Sequence, residues 1–145
     1  MGGTSFTVAE LRFLARMRVA RLATADTSSQ SHVIPIVFAC DGTRLYSPLD
    51  EKPKRVGPHE LKRARNILAN PRVAVVVDDY DEDWTRLAWV LITGTAEILE
   101  GGESHFKGAR LLRDKYLQHY DDSLERRPII VVTPTRIASW GAIDA

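Results

Sequence analysis

Val33-Ile34-Pro35-Ile36-Val37-Phe38-Ala39 is an unbroken apolar run with one proline inside it, and how it is read decides the fold. Together with Ser31 and His32 it predicts a strand over 31–39 that is apolar on both faces. Such a strand has to be covered on both sides. A closed barrel with a helix or a second subunit outside it meets that demand. Pro35 has no N–H to give to a ladder, so it marks a bulge, a break or a sheet edge. Two readings of Pro35 stand side by side: a plain edge strand, or a place where a flat ligand lies against backbone.

Working outward, Thr7-Val8-Ala9-Glu10 has the pattern of a capping box and opens a helix that runs to about Met17, with Val8, Leu11, Leu14 and Ala15 on one face. A strand follows over 18–25, then a polar turn over 26–30. Beyond the central run, Asp41-Gly42 signals a tight turn. Thr43 to Ser47 forms the next strand, folded back as a hairpin. A helix is expected over 59–70 with Leu61, Ala64, Ile67 and Leu68 on its apolar side, stopped by Asn70-Pro71. Strands are expected over 72–77 and 87–99, the second bent near Gly94. A third helix over 103–117 carries Phe106, Ala109, Leu112 and Tyr116 at helical spacing, and two short strands split by Pro134 close the chain. The strands come in groups, without regular βαβ alternation. That predicts one domain over 1–145, mainly β: an antiparallel barrel of about seven strands with three helices packed outside. The interior of so small a barrel is filled by side chains, so a ligand is expected on its outside, at a subunit seam.

Between Lys52 and Arg65 stand six basic residues (Lys52, Lys54, Arg55, Lys62, Arg63, Arg65) against one acidic residue, Glu60. The net charge of the chain is only +1, so this is a local concentration. Cations at a strand-to-helix junction suit an anionic ligand, most simply a phosphate. A solvated, charged helix face produces the same pattern.

Other features narrow the function classes. Near-zero net charge argues against nucleic acid as the main partner. No apolar segment reaches the roughly 20 residues a membrane span needs, and Met1-Gly2-Gly3-Thr4-Ser5 lacks the features of a signal peptide. One cysteine, Cys40, excludes an internal disulfide and fits a reducing cytoplasm. The four histidines (His32, His59, His105, His119) show no metal-ligand spacing, so no metal is expected. Asp78 to Trp84 holds five carboxylates in seven positions, but it lacks the glycine and distal glutamate of a calcium loop and reads as an exposed acidic loop. No nucleophile elbow, glycine-rich phosphate loop or placed carboxylate pair is present, so no catalytic residue can be named. An enzyme of this sequence needs a cofactor to carry its chemistry.

Ala20-Arg21-Leu22-Ala23-Thr24-Ala25-Asp26, His32 to Phe38, Leu45-Tyr46-Ser47, Lys52-Pro53-Lys54-Arg55, Arg65-Asn66-Ile67 and Asn70-Pro71-Arg72-Val73 together resemble the split-barrel flavin and deazaflavin oxidoreductases. That superfamily includes pyridoxamine 5′-phosphate oxidase. Tyr80 to Trp84 and Trp140-Gly141 are similar to an actinobacterial branch that uses the deazaflavin coenzyme F420. The resemblance implies an FMN-binding split barrel, a cytoplasmic homodimer and two cofactor sites at its interface. It implies that Pro35, Ile36 and Val37 lie along the cofactor ring and Ser47 near its ribityl and phosphate region. Lys52, Lys54 and Arg55 take the phosphate, while Lys62, Arg63 and Arg65 revert to a solvated helix. The implied reaction is hydride transfer from reduced F420 to a small conjugated acceptor. A protein that only binds or stores F420 or FMN, and an FMN enzyme, are the alternatives on the same fold. The chain is much shorter than pyridoxamine phosphate oxidase and lacks recognisable substrate-phosphate residues, which argues against vitamin B6 oxidation.

Overall fold

A computed structural model of the protein describes residues 3–49 and 61–144. Its strands are β1 (Ala20–Ala25), β2 (Ser31–Ile36), β3 (Ala39–Cys40), β4 (Leu45–Pro48), β5 (Arg72–Asp79), β6 (Ala88–Leu99) and β7 (Ile129–Gly141). They form one antiparallel sheet of seven strands in the order β2-β1-β5-β6-β7-β4-β3. β2 and β3 therefore sit at opposite edges, yet only Val37 and Phe38 separate them in the chain. Three residue steps span at most about 10 Å. The sheet has to curl until its two edges meet, which makes a barrel split at Val37–Phe38.

This corrects two boundaries while keeping the count at seven. The strand expected over 31–39 is broken at Val37–Phe38, and only its tail, β3, pairs with β4 across the Asp41-Gly42 turn; β2 pairs with β1. The two closing strands are one, because Pro134 sits opposite Gly94, where the β6–β7 register shifts. At that irregularity a residue without an N–H is tolerated. Pro35 lies on an edge strand, as expected.

Cross-strand partners share a face. Ile34, Leu22, Val75, Ile92 and Ile137 are aligned in one inward row, and all but Ile34 are fully or nearly fully buried. The neighbouring outward row is Pro35, Arg21, Val76, Leu91 and Ala138. The main core fills the barrel and is closed by α1 (Val8–Arg16) and α2 (Lys62–Ala69). A second cluster lies under α3 (Glu103–Lys115).

The helices hold residues that simple apolar periodicity does not select. The capping box at α1 is formed: the Glu10 N–H donates to Thr7 Oγ1 (3.1 Å) and the Thr7 N–H to Glu10 Oε1 (2.8 Å). α1 buries Glu10, Phe13 and Leu14 and leaves Val8 exposed. α3 buries His105, Gly108, Ala109 and Leu112, while Phe106 faces out. α2 turns Arg63, Ala64, Asn66 and Ile67 inward and leaves Leu68 exposed. Among the described residues no helix is long and apolar enough to cross a membrane.

Gly94 is a tight point of the β6–β7 ladder, since a Cβ there would run into the Thr133 carbonyl oxygen. Gly94→Ala should lower stability by about 1–3 kcal/mol, the usual cost of forcing volume into a packed site. An unchanged urea midpoint would show that the ladder gives way freely at this point.

Candidate functional site at the split

The break that closes the barrel leaves Phe38 with no ladder partner, and α3 supplies one. The Tyr116 hydroxyl accepts the Phe38 N–H (3.1 Å) and shares its one proton between the carbonyl oxygens of Phe38 (3.0 Å) and Arg18 (2.9 Å). One phenol thus ties both edges of the split to the α1–β1 link. Burial pushes the Tyr116 hydroxyl above its ordinary range. Beside it, the Lys115 ammonium lies 3.9 Å from the centre of the buried Phe38 ring and donates to the Leu14 carbonyl (3.0 Å). Burial, then the neighbouring Arg18 charge, pulls Lys115 down to about 8.

The β3–β4 hairpin forms the other bank. Asp41 accepts the Thr43 N–H (2.9 Å), the Arg44 N–H (2.8 Å), the Thr43 hydroxyl (2.9 Å) and the Tyr46 hydroxyl (2.7 Å). Burial alone would raise the Asp41 carboxyl, but these hydrogen bonds hold it well below the usual carboxylate range. Burial and the Asp41 contact together push Tyr46 up to about 12. Gly108 on α3 leaves room for the Tyr46 ring, which a Cβ would strike. The hairpin is thereby fixed, and the residues after Tyr46 have a set position.

A cleft of about 320 Å³ opens at the split. Pro35 and Ile36 line it from β2, Val37 from the break beyond, Ser47 and Pro48 from β4, and Arg63 from α2. Tyr116, His119 and Tyr120 line it from the end of α3 and the turn beyond. Four residues expected in a cofactor site, Pro35, Ile36, Val37 and Ser47, thus come together although two strands and the break between β2 and β3 carry them. Lys52, Lys54 and Arg55 lie outside the described residues. Ser47 is 3 % exposed, and its hydroxyl has no hydrogen-bond partner among the described residues. A buried hydroxyl in that state costs about 1–3 kcal/mol unless a ligand or water completes it. It therefore fits a ligand that brings a hydroxyl or phosphate oxygen.

Arg63 departs from the solvated role that the sequence suggests for it. It is 8 % exposed and places a cation on the cleft. Its helix neighbour Asn66 donates to Thr24 Oγ1 (2.9 Å), which pins this face of α2 to β1. The spacing of Arg63, Asn66 and Ile67 at i, i+3 and i+4 carried the signal, but polar residues do not register in an apolar stripe. Lys62 faces Asp26 at 3.8 Å and Arg65 is exposed, as expected of a solvated helix. The Cys40 thiol, half-buried, is pushed up to about 11 by burial and is a poor nucleophile. No group of three metal-ligating side chains occurs among the described residues. Trp84 and Trp140 stand outside the core, 70 % and 53 % exposed.

A family profile described as pyridoxamine 5′-phosphate oxidase matches residues 7–141. The 5a,11a-dehydrotetracycline/5a,11a-dehydrooxytetracycline reductase of Streptomyces rimosus subsp. rimosus is 30 % identical over 142 residues, covering 94 % of this chain and 83 % of its own. A solved structure named F420 Reductase is 27 % identical with a TM-score of 0.64, over 88 % of this chain and 94 % of that one. The conserved hypothetical protein Rv2991 of Mycobacterium tuberculosis shares the fold, with a TM-score of 0.74 at 23 % identity over 94 % and 85 % of the two chains.

Tyr116→Phe removes the hydroxyl and strands both main-chain groups of Phe38. Stability should fall by about 1–3 kcal/mol, and hydrogen exchange at the Phe38 amide should speed up more than at the amides inside β6. Equal protection at Phe38 in both proteins would mean that the phenol does not hold the split.

Proposed function

Because the chain belongs to the pyridoxamine 5′-phosphate oxidase family, we propose that it is an oxidoreductase whose cleft at the split holds a ring-and-phosphate cofactor, coenzyme F420 in preference to FMN. The observation that carries this is the cleft itself, where the unpartnered Ser47 hydroxyl and the buried Arg63 cation meet the edge strand of Pro35 to Val37. A flat ring suits that strand, because an edge offers backbone groups and Pro35 removes one donor from it. The Ser47 hydroxyl suits the polyhydroxy tail. Arg63 suits the phosphate, and the proposal gives Lys52, Lys54 and Arg55 the same role, since charge-assisted hydrogen bonds to phosphate are the strong ones.

When bound and reduced, such a cofactor supplies a hydride, so the reaction class is reduction of a small conjugated acceptor such as an enone or quinone. The protein's own part is position and electrostatics. The Tyr116 bonds to Phe38 keep the Pro35–Val37 wall in place, and Arg63 supplies positive charge in a partly water-excluded site. The reductase name of the Streptomyces relative and the F420 Reductase neighbour support the direction and the deazaflavin.

The proposed homodimer has a physical basis in the outward row of the sheet. Leu91, Val33 and Trp140 are 37 %, 65 % and 53 % exposed on that side, with Val76 and Trp89 between them. Pro35 belongs to the same row and also lines the cleft, so a second copy seated there would border the cofactor site. Apolar exposure of this kind marks an interaction surface.

Two measurements check these statements. In fluorescence titrations with F420 and FMN, wild type should bind F420 more tightly. Arg63→Ala and the Lys54→Ala, Arg55→Ala double variant should each weaken binding, at about 1.5–3 kcal/mol for every charge-assisted bond lost. Unchanged affinity in both variants would sink the assignment. In sedimentation equilibrium the wild type should run at twice its chain mass of 16.3 kDa and Leu91→Glu at the monomer mass. A monomeric wild type would remove the dimer.

A further inference from the structure

We propose that His119 is the acid that delivers the proton completing acceptor reduction in the cleft. This rests on the reductase reading above and goes beyond it by naming a catalytic side chain. Hydride addition to the β-carbon of an enone forms one C–H bond. It moves the π pair of the C=C bond toward the carbonyl and leaves an enolate. Two electrons and one hydrogen have then been transferred, and one proton is still needed at the α-carbon. It has to come from an acid within reach.

The described residues lining the cleft offer five side chains with a proton on nitrogen or oxygen: Ser47, Arg63, Tyr116, His119 and Tyr120. Arginine keeps its proton in proteins and a serine hydroxyl is too weak an acid. The Tyr116 hydroxyl proton is committed to a main-chain carbonyl, and burial makes that phenol a still weaker acid. Tyr120 packs edge-on against the Tyr116 ring, with centroids 6.4 Å apart, and a phenol is a poor acid near neutral pH. Imidazole is the side chain suited to giving up a proton there.

The position of His119 serves the same role. It stands in the turn after α3, fixed by its N–H donating to the Tyr116 carbonyl (2.9 Å). It lines the cleft from the α3 side, while Pro35 to Val37 line it from the end of β2 and the break beyond. Its side chain is solvent-exposed, so water can return the proton after each turnover. The charged groups around it are Arg63 from α2, Arg18 from the α1–β1 link and Lys115 from α3. No carboxylate lines either hollow that His119 borders, among the described residues. Nearby cations favour a developing enolate. In the balanced step, the proton passes from the imidazolium to the α-carbon, the enolate pair forms the new C–H bond, and the neutral imidazole is reprotonated by solvent. The acceptor gains two hydrogens and the hydride donor is oxidised by two electrons.

The test joins a binding readout to a kinetic one, using 2-cyclohexen-1-one as the enone. The His119 imidazole signals, assigned by their loss in His119→Gln, should shift when saturating F420 is added, or FMN if that is the cofactor bound. Wild-type turnover of the enone should fall as the pH rises. His119→Gln should be at least about 100-fold slower, without that limb in its profile. Binding of neither cofactor overturns the cofactor reading and this proposal with it. Cofactor binding that leaves the imidazole signals unmoved overturns the proposal alone. So does a loaded wild type that leaves the enone untouched, or a variant that keeps the wild-type rate and pH profile.

Discussion

Phe38 lies in the break where no strand pairs with it, and the rest of the molecule is arranged around that fact. The two edges of the sheet are consecutive in the chain, so the sheet can close only if the backbone leaves one edge and joins the other within two residues. Backbone N–H and C=O groups stripped of water there have to find partners. The Tyr116 hydroxyl serves both, because a phenol accepts one hydrogen bond and donates one. The same contact brings the end of α3 to the split, and with it His119 and Tyr120. The constraint that closes the barrel thus also builds one side of the cleft.

The opposite side is held by polar groups placed where a core would ordinarily be apolar. Asp41 gathers the turn and the Tyr46 hydroxyl. Asn66 reaches Thr24, and Arg63 is turned inward on the same helix face. Buried polar groups need partners, and most here have them. Ser47 is an exception, since its hydroxyl is buried beside the cleft with no partner among the described residues. A fold tolerates such a group readily where a ligand is meant to complete it.

Much of this was legible in the chain. Local signals survived because they depend on neighbours only: the Thr7–Glu10 box, the Asp41-Gly42 turn, the edge position of Pro35 and the irregularity at Gly94 all stand where the residues put them. Pro35, Ile36, Val37 and Ser47 were identified by resemblance, and they meet in one cleft. Helix faces were misread for one reason: the apolar stripe of α2 pointed to Leu68, whereas the buried face includes Arg63 and Asn66. Apolar periodicity cannot see a face that is buried for its polar contacts.

By itself, the sequence determined the strand and helix content, the antiparallel grouping and the cationic bias between Lys52 and Arg65, since composition and short-range spacing govern these. Tertiary structure alone decided that the central apolar run breaks at Val37–Phe38 and that Pro134 continues a strand. It alone decided that Tyr116 and His119, some 80 residues from Pro35 along the chain, face the same cleft. The reason is physical: where a strand ends is set by which partners the closed sheet leaves available, and no stretch of chain carries that information locally.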